Sequence, residues 1–316
     1  MASPRKKTTS ISSSNPQINP SCKLAHIQGK AARERIANSR NNMINKKNIS
    51  NPSKNFLHRT LRKIAFKAGY NFSFQKIPQY DRHRKVLHVP HDMEVEFIKL
   101  YEKARPYTLT SVECMYALYN SVKFVHAAKI EGDFVECGVW RGGSAMMIAL
   151  TLVALGDTSR KIYLYDTYAG MTKPGDMDVR SRDGMEQVSR WHAFENDEHN
   201  DWAYAPLEEV RRNMATTEYP ENKLNFVKGE VEKTIPGITP NRIALLRLDT
   251  DWYSSTRHEL IHLYPILAEN GALIIDDYGA YEGSRKATDE YFTETNKAIY
   301  LNRIDEAARI CFKPKL

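Results

Sequence analysis

Cysteine is scarce in this chain. The four present, Cys22, Cys114, Cys137 and Cys311, form no CxxC pair. Their spacing excludes a zinc knuckle and a disulfide framework, so a reducing, cytoplasmic setting is expected. Long apolar runs are missing as well. None reaches 18 residues, which excludes a transmembrane helix. The first basic residues run into Ser, Asn and Thr instead of an apolar stretch, so no secretory signal is expected. Acids are nearly absent from residues 1–70, where 15 Lys and Arg face only Glu34. The remaining residues hold 31 basic and 37 acidic side chains. The net charge of +8 is therefore a property of one end, and the body is mildly acidic. Such asymmetry marks a tail and not a basic fold.

Hydrophobic residues make up 41% of the 316, enough for a sizeable core. Residues 1–54 are rich in Ser, Asn and Lys and show no sustained period, which predicts a disordered basic tail. Their composition also suits an organelle transit peptide. Residues 55–90 read as a basic amphipathic segment and linker. Leu57, Leu61, Ile64 and Ala68 share one helical face, with Arg59, Arg62, Lys63 and Lys67 around it. That pattern predicts peripheral contact with an anionic membrane through residues 55–68, or a helix packed on the domain.

From residue 91 onward helix and strand signals alternate, and no internal repeat is visible. Helices are expected over His91–Lys103, Ser111–Lys129, Ser144–Leu155, Leu207–Ala215, Ser255–Glu269 and Ser284–Thr295. Thr256 and Glu259 have capping-box spacing, and Asn270-Gly271 supplies a stop for that helix. Strands are expected over Phe134–Val139, Lys161–Tyr165, Leu224–Lys228, Ile243–Leu248 and Ala272–Ile275. A terminal antiparallel hairpin is expected over Ala298–Ile304 and Arg309–Lys313. Residues 171–205 are polar and read as a long irregular insertion, a length that suits a lid. The alternation predicts an α/β fold with a doubly wound, mostly parallel sheet, Rossmann-like in arrangement.

One strand–helix junction stands out. Phe134-Val135-Glu136-Cys137-Gly138-Val139-Trp140-Arg141-Gly142-Gly143-Ser144 is rich in glycine, which lets backbone approach a ligand closely. A dinucleotide turn would read G-x-G-x-x-G. Here the pattern is E-x-G-x-x-x-G-G-S. Glu136, two residues before Gly138, would repel a pyrophosphate but suits a cationic amino acid such as the methionine end of S-adenosylmethionine. Asp166, at the end of the second strand, stands where carboxylates accept ribose hydroxyls.

Acids also crowd two later strand ends. Leu248-Asp249-Thr250-Asp251 and Ile275-Asp276-Asp277-Tyr278 follow buried strands whose C-terminal ends share one edge in a parallel sheet. Four carboxylates there would raise one another's pKa values, and a divalent cation relieves that cost. Oxygen-only ligands favour magnesium, manganese or calcium over zinc. Helix capping is the plainer alternative, best suited to Asp251.

The segments GDFVECGVWRGGSAMM, YLYDTYAGM, LLRLDTDWYSSTRHEL and LIIDDYG together resemble the macrocin O-methyltransferase (TylF-type) family of class I methyltransferases. The resemblance runs from about Leu109 to Pro314 and leaves residues 1–90 outside. It implies S-adenosylmethionine as cofactor and a hydroxyl, on a sugar of a small molecule or glycan, as acceptor. It implies Mg2+ at Asp249, Asp276 and Asp277, and Asp251 as general base. Glu136, Gly138, Trp140, Gly142, Ser144, Asp166, Gly229 and Glu230 would line the cofactor site, with Thr110 and Ser111 near the cofactor's carboxylate. Residues 171–205 correspond to a variable lid, in which Trp191, His192, His199 and Trp202 are candidates for acceptor contact. Homo-oligomers are also implied. Three competing readings weigh less. The turn's spacing disfavours a nicotinamide-dependent oxidoreductase. The tail's lack of interleaved aromatics and the acidic body disfavour nucleic-acid binding. The intact acid cluster disfavours a catalytically silent interaction protein.

Overall fold

The structure is a computed structural model that describes residues 89–315. These belong to a compact unit, Lys85–Leu316. The tail over 1–54 and the amphipathic segment over 56–68 lie outside the described residues. Among the described residues no helix is long and apolar enough to cross a membrane.

Seven strands form the main sheet: β1 (Asp133–Cys137), β2 (Ile162–Asp166), β5 (Leu224–Lys228), β6 (Ile243–Leu248), β7 (Leu267–Ile275), β8 (Asn302–Arg303) and β9 (Arg309–Phe312). Their order is β5-β2-β1-β6-β7-β9-β8. The first five run parallel, and β9 and β8 close the edge as the expected antiparallel hairpin. The chain winds outward from β1 through β2 to β5, then returns to β6 on the other side of β1. This reversal opens a crevice past the C-terminal ends of β1 and β6, where doubly wound sheets bind ligands.

Central strands buried on both faces read as apolar runs, and their residues alternate between two cores. Phe134, Leu245 and Ile274 face one side, beneath helices α1 (Val95–Ala104), α2 (Val112–Ala127) and α3 (Gly143–Ala154). Val135, Leu246 and Leu273 face the other, beneath α7 (Tyr253–Leu263) and α8 (Glu282–Glu294). Helix α1 shows the pattern at its plainest: Phe97, Leu100, Tyr101 and Ala104 fall on one buried stripe. Helix α3 is apolar on nearly every side because it is buried on nearly every side.

The structure departs from the sequence expectations at four places. The first helix starts at Val95, four residues later than expected. Helix α7 begins at Tyr253 and ends at Leu263, ahead of Pro265, which has no N–H to continue it. Asn270 and Gly271 therefore end no helix; they lie inside β7, where Asn270 takes a left-handed φ of 60° at a shift in the β6–β7 register. Thr256 and Glu259 are buried within α7, so they form no capping box. The 171–205 insertion is not irregular throughout. It contains the paired strands β3 (Val179–Arg180) and β4 (Met185–Glu186) and helix α4 (Val188–Phe194).

Candidate active site

Past the ends of β1, β6 and β7 lies a cavity of about 340 Å³, with Asp249, Asp251, Asp276 and Asp277 on its wall. The β1 turn also lines it, through Gly138, Trp140 and Ser144. A narrower recess adjoins it, lined by Gly138, Asp166, Gly229 and Glu230.

The turn's geometry follows from its glycines. Gly138 has φ +83°, and a Cβ on it would stand 1.8 Å from the Asp249 carbonyl oxygen. Helix α3 is capped at its start by Gly142, also left-handed at φ 90°. Trp140 adopts φ 47° between them, a strained choice for a large side chain. What holds the turn in this form is Asp166. Its Oδ2 accepts the N–H groups of Val139 at 2.7 Å and Trp140 at 2.9 Å, and its Oδ1 accepts that of Tyr168 at 2.7 Å. The carboxylate expected at the ribose is thus also the anchor of the turn. Asn213, on helix α5 (Leu207–Ala215), braces the same turn by donating to the Arg141 carbonyl at 2.9 Å.

The aspartates converge as the strand ends predicted. Asp249, Asp276 and Asp277 each present a carboxylate oxygen within 4.8 Å of the others. A six-coordinate magnesium ion at about 2.1 Å from its ligands separates neighbouring oxygens by roughly 3 Å and opposite ones by roughly 4.2 Å. Binding of such an ion would draw the three carboxylates closer together, and the all-oxygen donor set suits it. Asp251 occupies the centre of a tight turn with φ 66°, closed by the Trp252 N–H donating to the Thr250 carbonyl at 2.8 Å. Its own N–H donates to Asp277 Oδ2 at 3.2 Å. Burial, with neighbouring Asp249 and Asp276, pushes the Asp251 carboxyl up to about 7, although interaction with Asp277 pulls the other way. Burial also raises Asp277, and Asp251 and Asp276 raise it further.

Sequence reasoning missed Arg247. The β1–β6 register sets it beside Glu136, and the β6–β7 register beside Ile274. Its side chain is 1% exposed. Nη1 donates to Glu136 Oε1 at 2.7 Å and to Asp249 Oδ2 at 2.6 Å. Nη2 donates to Asp276 Oδ1 at 2.7 Å and to Thr110 Oγ1 at 3.0 Å. Burial works against the guanidinium charge, but the three carboxylates outweigh it and hold Arg247 protonated. The available signal was positional: Glu136 precedes Gly138 by two residues, as Arg247 precedes Asp249, so adjacent strands carry opposite charges at matching heights.

Other candidates divide. Glu136 is fully buried, and its Oε2 has no hydrogen-bond partner. Thr110 lines the cavity. The Ser111 hydroxyl caps α2 by accepting the Cys114 N–H at 3.1 Å, and it donates to Asp305 at 2.6 Å. Of the four insertion aromatics and histidines, Trp202 reaches the cavity wall, joined there by Tyr281 and Arg190. Arg190 stacks over the Trp202 ring at 4.0 Å. The Trp191 indole donates to the Met171 carbonyl, while His192 pairs with Glu195 and His199 with Asp201.

Comparison with known proteins identifies the family. The Macrocin-O-methyltransferase (TylF) family model matches residues 76–313. The chain belongs to the macrocin-O-methyltransferase family. An 8-demethyl-8-(2,3-dimethoxy-alpha-L-rhamnosyl)-tetracenomycin-C 4'-O-methyltransferase of Streptomyces olivaceus is 35% identical over 185 residues, 58% of this chain and 67% of that protein. A demethyldecarbamoylnovobiocin O-methyltransferase of Streptomyces niveus is 29% identical over 202 residues, 64% of this chain and 74% of that one. The structure of the O-methyltransferase NovP matches with a TM-score of 0.59 at 27% identity, covering 66% of this chain and 83% of that chain. The fold is that of the class I methyltransferases, and the chain is an S-adenosylmethionine-dependent O-methyltransferase.

Proposed function

We infer that the acceptor is a sugar hydroxyl of a glycosylated metabolite or glycan, and that a divalent cation, magnesium foremost, assists the transfer. The observation that carries this is that the β1 turn and the β6–β7 aspartates line one cavity. The rhamnosyl group in the name of the Streptomyces olivaceus relative supports a sugar acceptor. So does the wall of Trp202 and Tyr281, since aromatic faces and edges suit sugar rings.

Glu136, Gly138, Trp140, Gly142, Ser144 and Thr110 would receive the methionine end of the cofactor. Asp166, Gly229 and Glu230 would receive its nucleoside. Ser111 contributes indirectly, by capping the helix that follows Thr110. S-adenosylmethionine supplies a methyl group on a sulfonium. Asp249, Asp276 and Asp277 would hold the cation, which polarises the acceptor hydroxyl and makes it more acidic. Asp251, on the same cavity wall, would accept that proton as the oxygen–carbon bond forms and the sulfur–carbon bond breaks. The turn would hold the donor and the aspartates the acceptor, so that binding orients the two reactants for transfer.

The test is transfer of labelled methyl from S-adenosylmethionine to rhamnosylated and other glycosylated acceptors, with and without chelator. Label on a sugar oxygen that disappears in chelator supports the reading. Full activity in excess chelator removes the cation from it. Assembly into homo-oligomers is a separate proposal, checked by light scattering of the purified protein.

A further inference from the structure

Arg247 carries an inference that neither fold nor family supplies. It is a buried cation with four partners, and they belong to different parts of the site. Glu136 lies on β1 just before the cofactor turn, and Thr110 leads into α2 and lines the cavity. Asp249 and Asp276 directly follow β6 and β7 and form two-thirds of the candidate cation site. No other basic side chain pairs with these carboxylates among the described residues. A planar guanidinium is suited to this task, because its two terminal nitrogens hold fixed directions at once. Each aspartate retains a second oxygen for a cation.

We propose that Arg247 is a positioning residue that couples the cation and cofactor subsites, so that each ligand strengthens binding of the other. The physical route is short. A divalent ion held by Asp249 and Asp276 would draw their charge toward itself. Arg247 would then lean its remaining hydrogen-bonding strength on Glu136, buried two residues before Gly138 of the cofactor turn, and on Thr110, which lines the cavity. Coupling of this kind is reciprocal: the factor by which the ion tightens the cofactor equals that by which the cofactor tightens the ion. The proposal rests on the cation and cofactor sites assigned above.

Titration calorimetry of the full chain tests it, with S-adenosylhomocysteine as the cofactor probe, because its uncharged sulfur avoids direct repulsion from the ion. Binding is measured with and without saturating magnesium, and magnesium binding with and without S-adenosylhomocysteine. In the native protein each ligand is expected to tighten the other by at least about fivefold, and by equal factors. In Arg247→Lys, which keeps the charge but cannot bridge four groups, both ligands still bind and the factor falls to about one. Thr110→Val removes a single arm, keeps near-native volume and lowers the factor partway. It decides the matter if Arg247→Lys loses its fold by circular dichroism. An unchanged factor in a folded Arg247→Lys, or in Thr110→Val where the lysine variant does not fold, overturns the coupling. A factor of one in the native protein overturns it as well. Failure of the native chain to bind magnesium or S-adenosylhomocysteine at all is a different result, which overturns the underlying site assignment.

Discussion

Asp251 sits in a turn that few side chains tolerate, with a left-handed backbone and its own N–H donating to Asp277. Strain of this kind persists where surrounding structure enforces it, and here it sets the proposed proton acceptor on the cavity wall. Asp251→Asn keeps the shape and removes the basicity. We expect kcat to fall by about 10²-fold or more while S-adenosylhomocysteine affinity stays within about threefold, measured by single-turnover methyl transfer and calorimetry. Gly138 is a second point where one atom decides. A methyl group there would meet the Asp249 carbonyl, so Gly138→Ala must part β1 from β6. Thermal unfolding should show a loss of about 2 kcal/mol or more, together with weakened cofactor and cation binding. The acids and glycines of both half-sites were legible in the sequence because their chemistry is conspicuous. Arg247 was not, because an arginine inside an apolar strand reads as an interruption until the strand register shows Glu136 beside it.

At the scale of elements, existence and type were easier to read than ends. Strands β5 and β6 and helix α5 lie where their apolar patterns placed them. The α7–β7 junction did not. Asn270-Gly271 signals a stop equally well for a helix and for a bulged strand, and the β6 pairing decided between them. The insertion shows why long polar segments resist reading: its order comes from contacts with distant elements. Asp178, buried between strand β3 and the loop before it, accepts the Tyr253 N–H at the start of α7 and the Gly175 N–H, both at 2.7 Å. The Trp252 indole donates to the Thr172 carbonyl at 2.9 Å. Helix α7 has no side-chain cap from its own N-cap residue, so the insertion supplies one. Asp178→Ala should therefore cost about 1–2 kcal/mol in denaturant unfolding, the range for a lost helix cap. It should also raise KM for the acceptor more than that for S-adenosylmethionine, because Trp202 and Arg190 ride on the same insertion.

At the scale of the whole molecule, one stabilising cluster lies at the end of the strands away from the site. Asp157, past the end of α3 and before β2, gathers Ser159, Arg160 and His126 around it. Partial burial favours its neutral form, but these hydrogen bonds outweigh it and hold the carboxyl below its ordinary range. A carboxyl lowered on folding stabilises the fold above its unfolded pKa, and that contribution fades as pH falls toward the folded value. Asp157→Asn should be less stable than the native chain by about 1 kcal/mol at pH 7, the modest size expected of a partly solvated ion-pair cluster. The difference should shrink below about pH 4. Equal stabilities at pH 7 would show that the cluster contributes nothing.

The same separation bears on the basic first third. Every residue assigned to the cavity and its bracing lies between Tyr107 and Tyr281, within the compact unit that begins at Lys85. Residues 1–84 carry the positive surplus, and every site residue named above lies beyond them. A protein shortened to start at Lys85 should therefore keep its midpoint of thermal unfolding and its affinities for S-adenosylhomocysteine and magnesium. Loss of either affinity would place part of the site in the removed residues. Removal should instead change where the protein goes. Basic side chains near an anionic surface contribute about 1 kcal/mol each, and residues 55–68 bring several together beside an apolar stripe. Sedimentation with vesicles containing phosphatidylserine should carry down the full chain and leave the shortened one in solution, with the difference erased by high salt. Equal sedimentation of the two would remove the membrane from the account and leave the basic segment to pack on protein.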